Sequence, residues 1–464
     1  ADYIFSYFLI FACAQLIYSK ITYQQPQQLT WIIIRAILTF SFYLGFIYMW
    51  YFLVFKWTPA HQDVKVIPST SEEFDEKEEF YPDLRRGEPR PHSLTFGSTV
   101  DFSRINRSFG RQVKNGVNAR LRTMHENNEL PDTDIEILFK DDKSYAIKAR
   151  ENARNFVAEG IDMLLLPLGS STIEAFQELI ESNQLYVFFP MSGASFLHSA
   201  NLKNVIHLRT SFADEAKLLT EYAIEELGTH RIAFLYEDTS FGLSALEGAH
   251  RVLKHYNFPM KNVTEVPYEE HDIKFDKQTE QLKQSDPDTV MFFAPGVAVL
   301  EIIHQLGIEN LIGKNLLGTS YLNQTFFHNL IDNLGLKFVT TNLVPDPSNS
   351  DTQIAQEFNE AKAKHGTATG SFAFEAYIAV DLLITILENM TEPPTPENIM
   401  KQLESIKNYN HKGIMLDFNP ATRELATSIW LDTGDKKKKW RKVSTRAIEK
   451  KYQHGIQQGV KEKA

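Results

Sequence analysis

From residue 93 onward the chain alternates short apolar runs with longer amphipathic stretches. A run of four to eight apolar residues between turn residues reads as a buried strand, and an apolar repeat of 3.6 residues reads as a helix. On that pattern strands are expected at 93–100, 135–139, 161–168, 185–189, 205–208, 231–236, 262–267, 289–293, 315–318 and 336–342. Helices are expected at 109–127, 145–158, 173–180, 213–227, 241–256, 275–284, 297–306, 352–365, 372–389 and 396–406. Repeated βα units imply parallel sheets covered by helices on both faces. There are too many units for one sheet of ordinary width, so an α/β fold of two sheets in two lobes is expected.

One stretch organises the rest. The apolar run 161–168 ends in Gly169, Ser170, Ser171 and Thr172, and Ile173, Phe176, Leu179 and Ile180 then fall on one helical face. Ser171 precedes Glu174 by three residues, the spacing of a capping box. Small hydroxyl residues at such a position ordinarily cap the helix, and the same groups suit a ligand carboxylate. In open parallel sheets ligands sit beyond the carboxyl ends of the strands. Here those exits are 99–103, 140–142, 169–172, 191–195, 237–241 and 294–297, and they carry small, hydroxylic, acidic or aromatic residues. Such a set suits a small polar molecule.

The first ninety residues have another character. Residues 3–18 are almost wholly apolar, and 31–55 form a long apolar run with Arg35 near its start. About twenty apolar residues cross a bilayer, so a transmembrane hairpin is expected over 1–57. Lys20 and Arg35 flank its short loop, which places the loop in the cytoplasm and the bulk of the chain outside it. Residues 58–92 are rich in Pro and acidic residues and read as a linker. Residues 432–464 carry a lysine cluster near 436–442 and read as a basic tail, either solvated or lying on an anionic surface.

Composition narrows the function. At 464 residues with a net charge of −11, the chain is not a nucleic-acid binder as a whole. Its single cysteine, Cys13, excludes a disulfide framework or thiolate metal site within one chain. There is no nucleophile elbow, no His-Glu-x-x-His run and no phosphate-loop motif, so neither an enzyme nor a cofactor is expected.

Four stretches carry a family resemblance. They are Lys140 to Arg150, Gly169 to Ala175, Phe189 to Phe196 followed by Val205 to Ser211, and Glu226 to Gly242. In order and spacing they resemble the type I periplasmic binding proteins, specifically the substrate-binding proteins of branched-chain amino-acid ABC transporters. The resemblance spans 93–431 and implies a two-lobed clamp, with lobe 1 at about 93–206 and 338–412 and lobe 2 at about 210–335 and 415–431. Carried over by position, Ser170, Ser171 and Thr172 would hold a ligand carboxylate. Ser192, Gly193, Ala194 and Ser195 would flank the α-group, and Phe241 would cover the ligand. Amino-acid binders of this family place a glutamate after a second-lobe strand to meet the amine; here Ser320 stands there. Gly296, within Pro295 to Val297, stands where an aromatic is usual. Glu237 or Asp238 is the candidate replacement for the missing acid. The resemblance thus implies a solute-binding protein, anchored in the cytoplasmic membrane with its main domain in the periplasm, binding an amino acid or small carboxylate. The alternative is an accessory subunit of a membrane complex that reuses the fold without a ligand, with its pocket filled by its own side chains.

Overall fold

The computed structural model describes residues 92–365, 370–435 and 438–452. The expected hairpin at 1–57 and nearly all of the linker lie outside the described residues. Among the described residues no helix is long and apolar enough to cross a membrane.

The first sheet contains β1 (His92–Val100), β2 (Thr133–Asp141), β3 (Met163–Leu165), β4 (Tyr186–Phe188) and β5 (Val205–Ile206), in the order β2-β1-β3-β4-β5. All its neighbours pair in parallel. The second sheet contains β6 (Ile232–Glu237), β7 (Val263–Tyr268), β8 (Thr289–Phe293), β9 (Asn315–Gly318) and β10 (Phe338–Asn342). These parallel strands run β7-β6-β8-β9-β10, so the second lobe repeats the strand order of the first. In each sheet the order reverses beside its first strand, which opens a crevice at β1/β3 in one lobe and β6/β8 in the other.

Helices cover both faces. In the first lobe α1 (Arg107–Glu126) packs on the long apolar helix Ser371–Asn389, and Gly116 makes the approach close, since a Cβ there would collide with the carbonyl of Ala373. In the second, α5 (Phe212–Glu225) lies against α6 (Ser240–His255). Ser211 caps α5 by accepting a bond from the backbone N–H of Asp214. The chain passes between lobes three times: after β5, after β10, and between the small antiparallel sheet (Tyr409–His411, Ile414–Asn419, Glu424–Ala426) and the strand Ser428–Asp432.

Three expectations change. Residues 338–412 are expected in the first lobe, but Phe338–Asn342 pairs with β9 in the second sheet. The helix expected at 173–180 is two short ones, α3 (Ser170–Glu174) and α4 (Gln177–Glu181). The N-cap is Gly169 at φ +101°, which glycine adopts readily, so Ser171 sits inside the first turn and forms no capping box. The basic segment is not wholly a tail. Arg441–Ser444 adds an antiparallel edge strand to Ser428–Asp432, and residues 445–452 are helical. Its cations pair with acids of the second lobe, Arg441 with Glu226 at 2.6 Å and Lys451 with Glu221 and Glu225.

Candidate ligand-binding cleft

The two crevices face each other across one cavity. The first lobe contributes Asp101 from the end of β1, Asn106, Phe109 and Ser144, and the run from Leu168 to Thr172 after β3. The second contributes Glu237 at the end of β6, Thr239 and Phe241 beyond it, Glu270 after β7, Pro295 after β8, and Tyr321 after β9. The cavity holds about 480 Å³ of atom-free space, part of it open to solvent, but the centre of a water molecule reaches only about 30 Å³. That is room for one or two waters, so the lobes stand close together.

Of the residues expected from the sequence, Ser170, Ser171, Thr172 and Phe241 line the cavity. Their hydroxyls already have partners. Ser171 Oγ donates to Glu270 Oε1 of the opposite lobe at 2.6 Å. Ser170 and Ser192 share a 2.8 Å bond, and Thr172 Oγ1 donates to the carbonyl of Leu168 at 2.7 Å. The remaining expected residues stand behind the wall. Ser192 supports Ser170, and Gly193 accepts the N–H of Phe212 through its carbonyl. The N–H of Ala194 turns onto Ser192 Oγ. Ser195 bonds the second lobe instead, its N–H donating to Ser244 Oγ at 2.9 Å. Gly296 packs against Phe327, leaving its neighbour Pro295 at the cavity.

Ser320 faces away from the cavity. Its N–H and Oγ both donate to the buried carboxylate of Glu215, at 2.7 and 3.0 Å. The next residue, Tyr321, takes the cavity position. Its ring stacks on Phe241 at 4.9 Å and contacts Phe109, Phe212 and Phe372. Its hydroxyl crosses the cleft to the carbonyl of Met191 at 3.0 Å. An aromatic cluster from both lobes therefore fills much of the space.

Of the two acids considered as replacements, Glu237 lines the cavity and Asp238 is exposed. Burial pushes the Glu237 carboxyl up to about 7, and the nearby charge of Glu270 adds to the rise. Bonds from Thr239 Oγ1 at 3.0 Å and Tyr268 Oη at 3.2 Å oppose it. Sequence reasoning missed Glu270 and Tyr321. Glu270 lies two residues beyond β7, an exit that was not included among the candidate loops. Tyr321 stands one residue past the position carried over from the family.

Among the described residues no group of three or more His, Cys, Asp or Glu side chains could hold a metal ion. The polar groups at the cavity offer hydrogen bonds and acidic side chains, the chemistry that a small polar molecule would meet there.

Comparison with known proteins agrees with this architecture. A curated Leu/Ile/Val-binding protein, BraC3 of Rhizobium johnstonii, is 20% identical over 326 residues, covering 69% of this chain and 86% of that one. A possible leucine/isoleucine/valine-binding protein from Rhodopirellula baltica superposes with a TM-score of 0.69 at 17% identity, over 78% of this chain and 99% of its own. An ABC-transporter solute binding protein from R. palustris, solved in complex with benzoate, gives 0.66 at 16% identity, over 76% and 96%. Residues 93–439 match the periplasmic binding protein family, which is one of binding proteins and not of enzymes. With two lobes of repeated strand order meeting at a shared cavity, and with that match covering most of its length, the chain belongs to the periplasmic binding protein family.

Proposed function

We propose that this protein is the solute-binding component of an ABC-type transporter, closing its two lobes on an amino-acid-type or similarly small polar ligand. The observation that carries the reading is the convergence of strand exits from both sheets on one cavity lined by Asp101, Ser171, Glu237 and Glu270. Hinged lobes joined by three crossings suit capture by closure. The names of the similar proteins, which refer to branched-chain amino acids and to benzoate, support the ligand size. The apolar run 31–55 supports a membrane tether with the binding domain outside the cytoplasm.

Isothermal titration against amino acids, amines and small carboxylates tests the binding, with Ser171→Ala as the cleft control. Saturable binding of one class, weakened by the variant, is the expected result. Alkaline extraction of membranes tests the tether: the chain stays in the pellet if the reading holds.

One observation favours a second reading, an accessory subunit that binds nothing. The aromatic cluster around Tyr321 and the Ser171–Glu270 bond leave the cleft nearly filled. Small-angle scattering separates the two. A binding protein opens in solution and contracts with ligand, whereas a permanently filled cleft keeps one radius of gyration and co-purifies with membrane partners.

A further inference from the structure

The cleft contains carboxylates from three different strand exits: Asp101 after β1, Glu237 at the end of β6 and Glu270 after β7. Among the described residues no Lys, Arg or His lines it. Among the described residues their hydrogen-bond donors are uncharged. Glu237 receives hydroxyls from Thr239 and Tyr268, and Glu270 receives the hydroxyl of Ser171. Asp101 receives the backbone N–H groups of Ser103, Arg104 and Asn106 and the hydroxyl of Ser144.

Elsewhere this fold places cations beside buried acids. Glu375 is held by both arms of Arg209 at 2.9 and 2.8 Å, and Asp214 by Lys217 at 2.6 Å. Asp381 is surrounded by Arg120, His411 and Lys412. The cleft acids differ from these: among the described residues no cation lines the cavity beside them, just as the buried Asp142 behind Asp101 is bonded only by Thr99 and Ser144. A second observation points the same way. Asn106 lines the cavity, its Nδ2 donates to Ser144, and its buried Oδ1 accepts no bond. That is an acceptor awaiting an N–H donor. The first-lobe hydroxyls do not meet this need, since those of Ser171 and Thr172 already donate to Glu270 and Leu168.

We propose that the cleft is built for a small organic cation, its ammonium or guanidinium group seated among Glu237, Glu270, Asp101 and Asn106 Oδ1. This deepens the solute-binding reading and rests on it. A free carboxylate gains no charged partner here and meets only other acids, so an anion without an amine is rejected. Binding energy comes from supplying a counter-charge to the buried carboxylates of Asp101 and Glu237. Closure then exchanges the Ser171–Glu270 bond for bonds to the ligand.

The test is calorimetry on the 464-residue chain with 1,5-diaminopentane, arginine, isoleucine and benzoate as probes. The diamine or arginine binds most tightly, isoleucine about tenfold or more weaker, and benzoate not at all. Glu237→Gln with Glu270→Gln lowers affinity for the cation by about 10- to 100-fold while the melting temperature is kept or raised. Should the double variant fail to fold, raised ionic strength gives the second readout, weakening cation binding and leaving isoleucine binding unchanged. Tightest binding of benzoate or isoleucine, unaffected by the two glutamine substitutions, overturns the cation assignment and leaves the solute-binding reading standing. No binding by any probe or by the broader panel overturns both.

Discussion

Two sets of buried carboxylates in this protein are solved in opposite ways. Asp381, on the helix Ser371–Asn389 of the first lobe, is surrounded by Arg120 Nε at 2.5 Å, Lys412 Nζ at 2.9 Å and the imidazole Nε2 of His411 at 2.9 Å. Burial pushes its carboxyl up, but the His411 bond and these positive charges outweigh it and hold the group well below the usual carboxylate range. Glu237 in the cleft has no such company, and burial holds it up at about 7. Both are glutamate- or aspartate-type acids removed from water. The difference is that one is completed by the fold and the other is not. Charge completed within the chain is architecture, whereas charge left incomplete at a cavity between two lobes is, on the proposed reading, where a ligand would contribute.

The sharpest way to break this contrast is to remove each acid in turn. Asp381→Asn leaves the buried Arg120 and the partly buried Lys412 without their common partner, and a loss of about 3–5 kcal/mol in urea denaturation is expected. Since Asp381 is held low, its stabilisation is present above its ordinary value of 3.8 and is lost as pH falls below it. The variant should accordingly lose its deficit in acid.

Glu237→Gln should do the reverse. The ordinary value of this carboxyl is 4.5 and the folded value about 7, so between them the unfolded chain releases a proton that the folded chain keeps. The stabilisation from the protonated form is complete below 4.5 and lost as pH rises through 7. Thermal melts without ligand should therefore show the variant gaining about 2–3 kcal/mol on the parent between pH 4 and pH 8. Equal gaps at both pH values would place Glu237 in a more solvated setting.

Ligand affinity sharpens the same point at smaller scale. Binding of a cation should rise about tenfold from pH 6 to pH 8 as Glu237 gives up its proton. The other groups facing it are Glu270, Tyr268 and Tyr321; burial holds Tyr268 well above 10 and Tyr321 at about 12, so the phenols stay protonated throughout. Asp142, behind Asp101, is raised to about 7 by burial and contributes to the same rise. In Glu237→Gln the slope should flatten to that residual part. The smallest effect concerns closure. Tyr321→Phe removes the bond to the carbonyl of Met191 and should cost about 1 kcal/mol, read as a shift toward open lobes in scattering.

Much of the fold was legible in the residues. The strands at 289–293 and 315–318 match to the residue, because an apolar run between turn residues has few alternatives. Gly169 to Thr172 was identified as a cleft loop from its place after the third strand, and it lines the cavity. What escaped depends on partners distant in sequence. Arg441–Ser444 carries the look of a solvated basic segment until Ser428–Asp432 is beside it as an edge to pair with. Phe338–Asn342 reads as a strand on its own, but which sheet receives it is decided by β9.

The same division holds at the site. Hydrophobic periodicity alone determined the alternation of strands and helices, and so which loops lie at the strand exits, since that pattern follows from local geometry. It could not determine which residue of a loop faces inward. A turn residue points by its backbone angles and by what packs around it, and a step of one position exchanges Ser320, bound to Glu215, for Tyr321 at the cavity. Nor could it join Ser171 to Glu270, 99 residues apart, or show that the acids of three separate exits share one cavity. Those facts arise only when the two lobes come together, because burial and charge compensation are properties of the assembled surroundings and not of the residues taken singly.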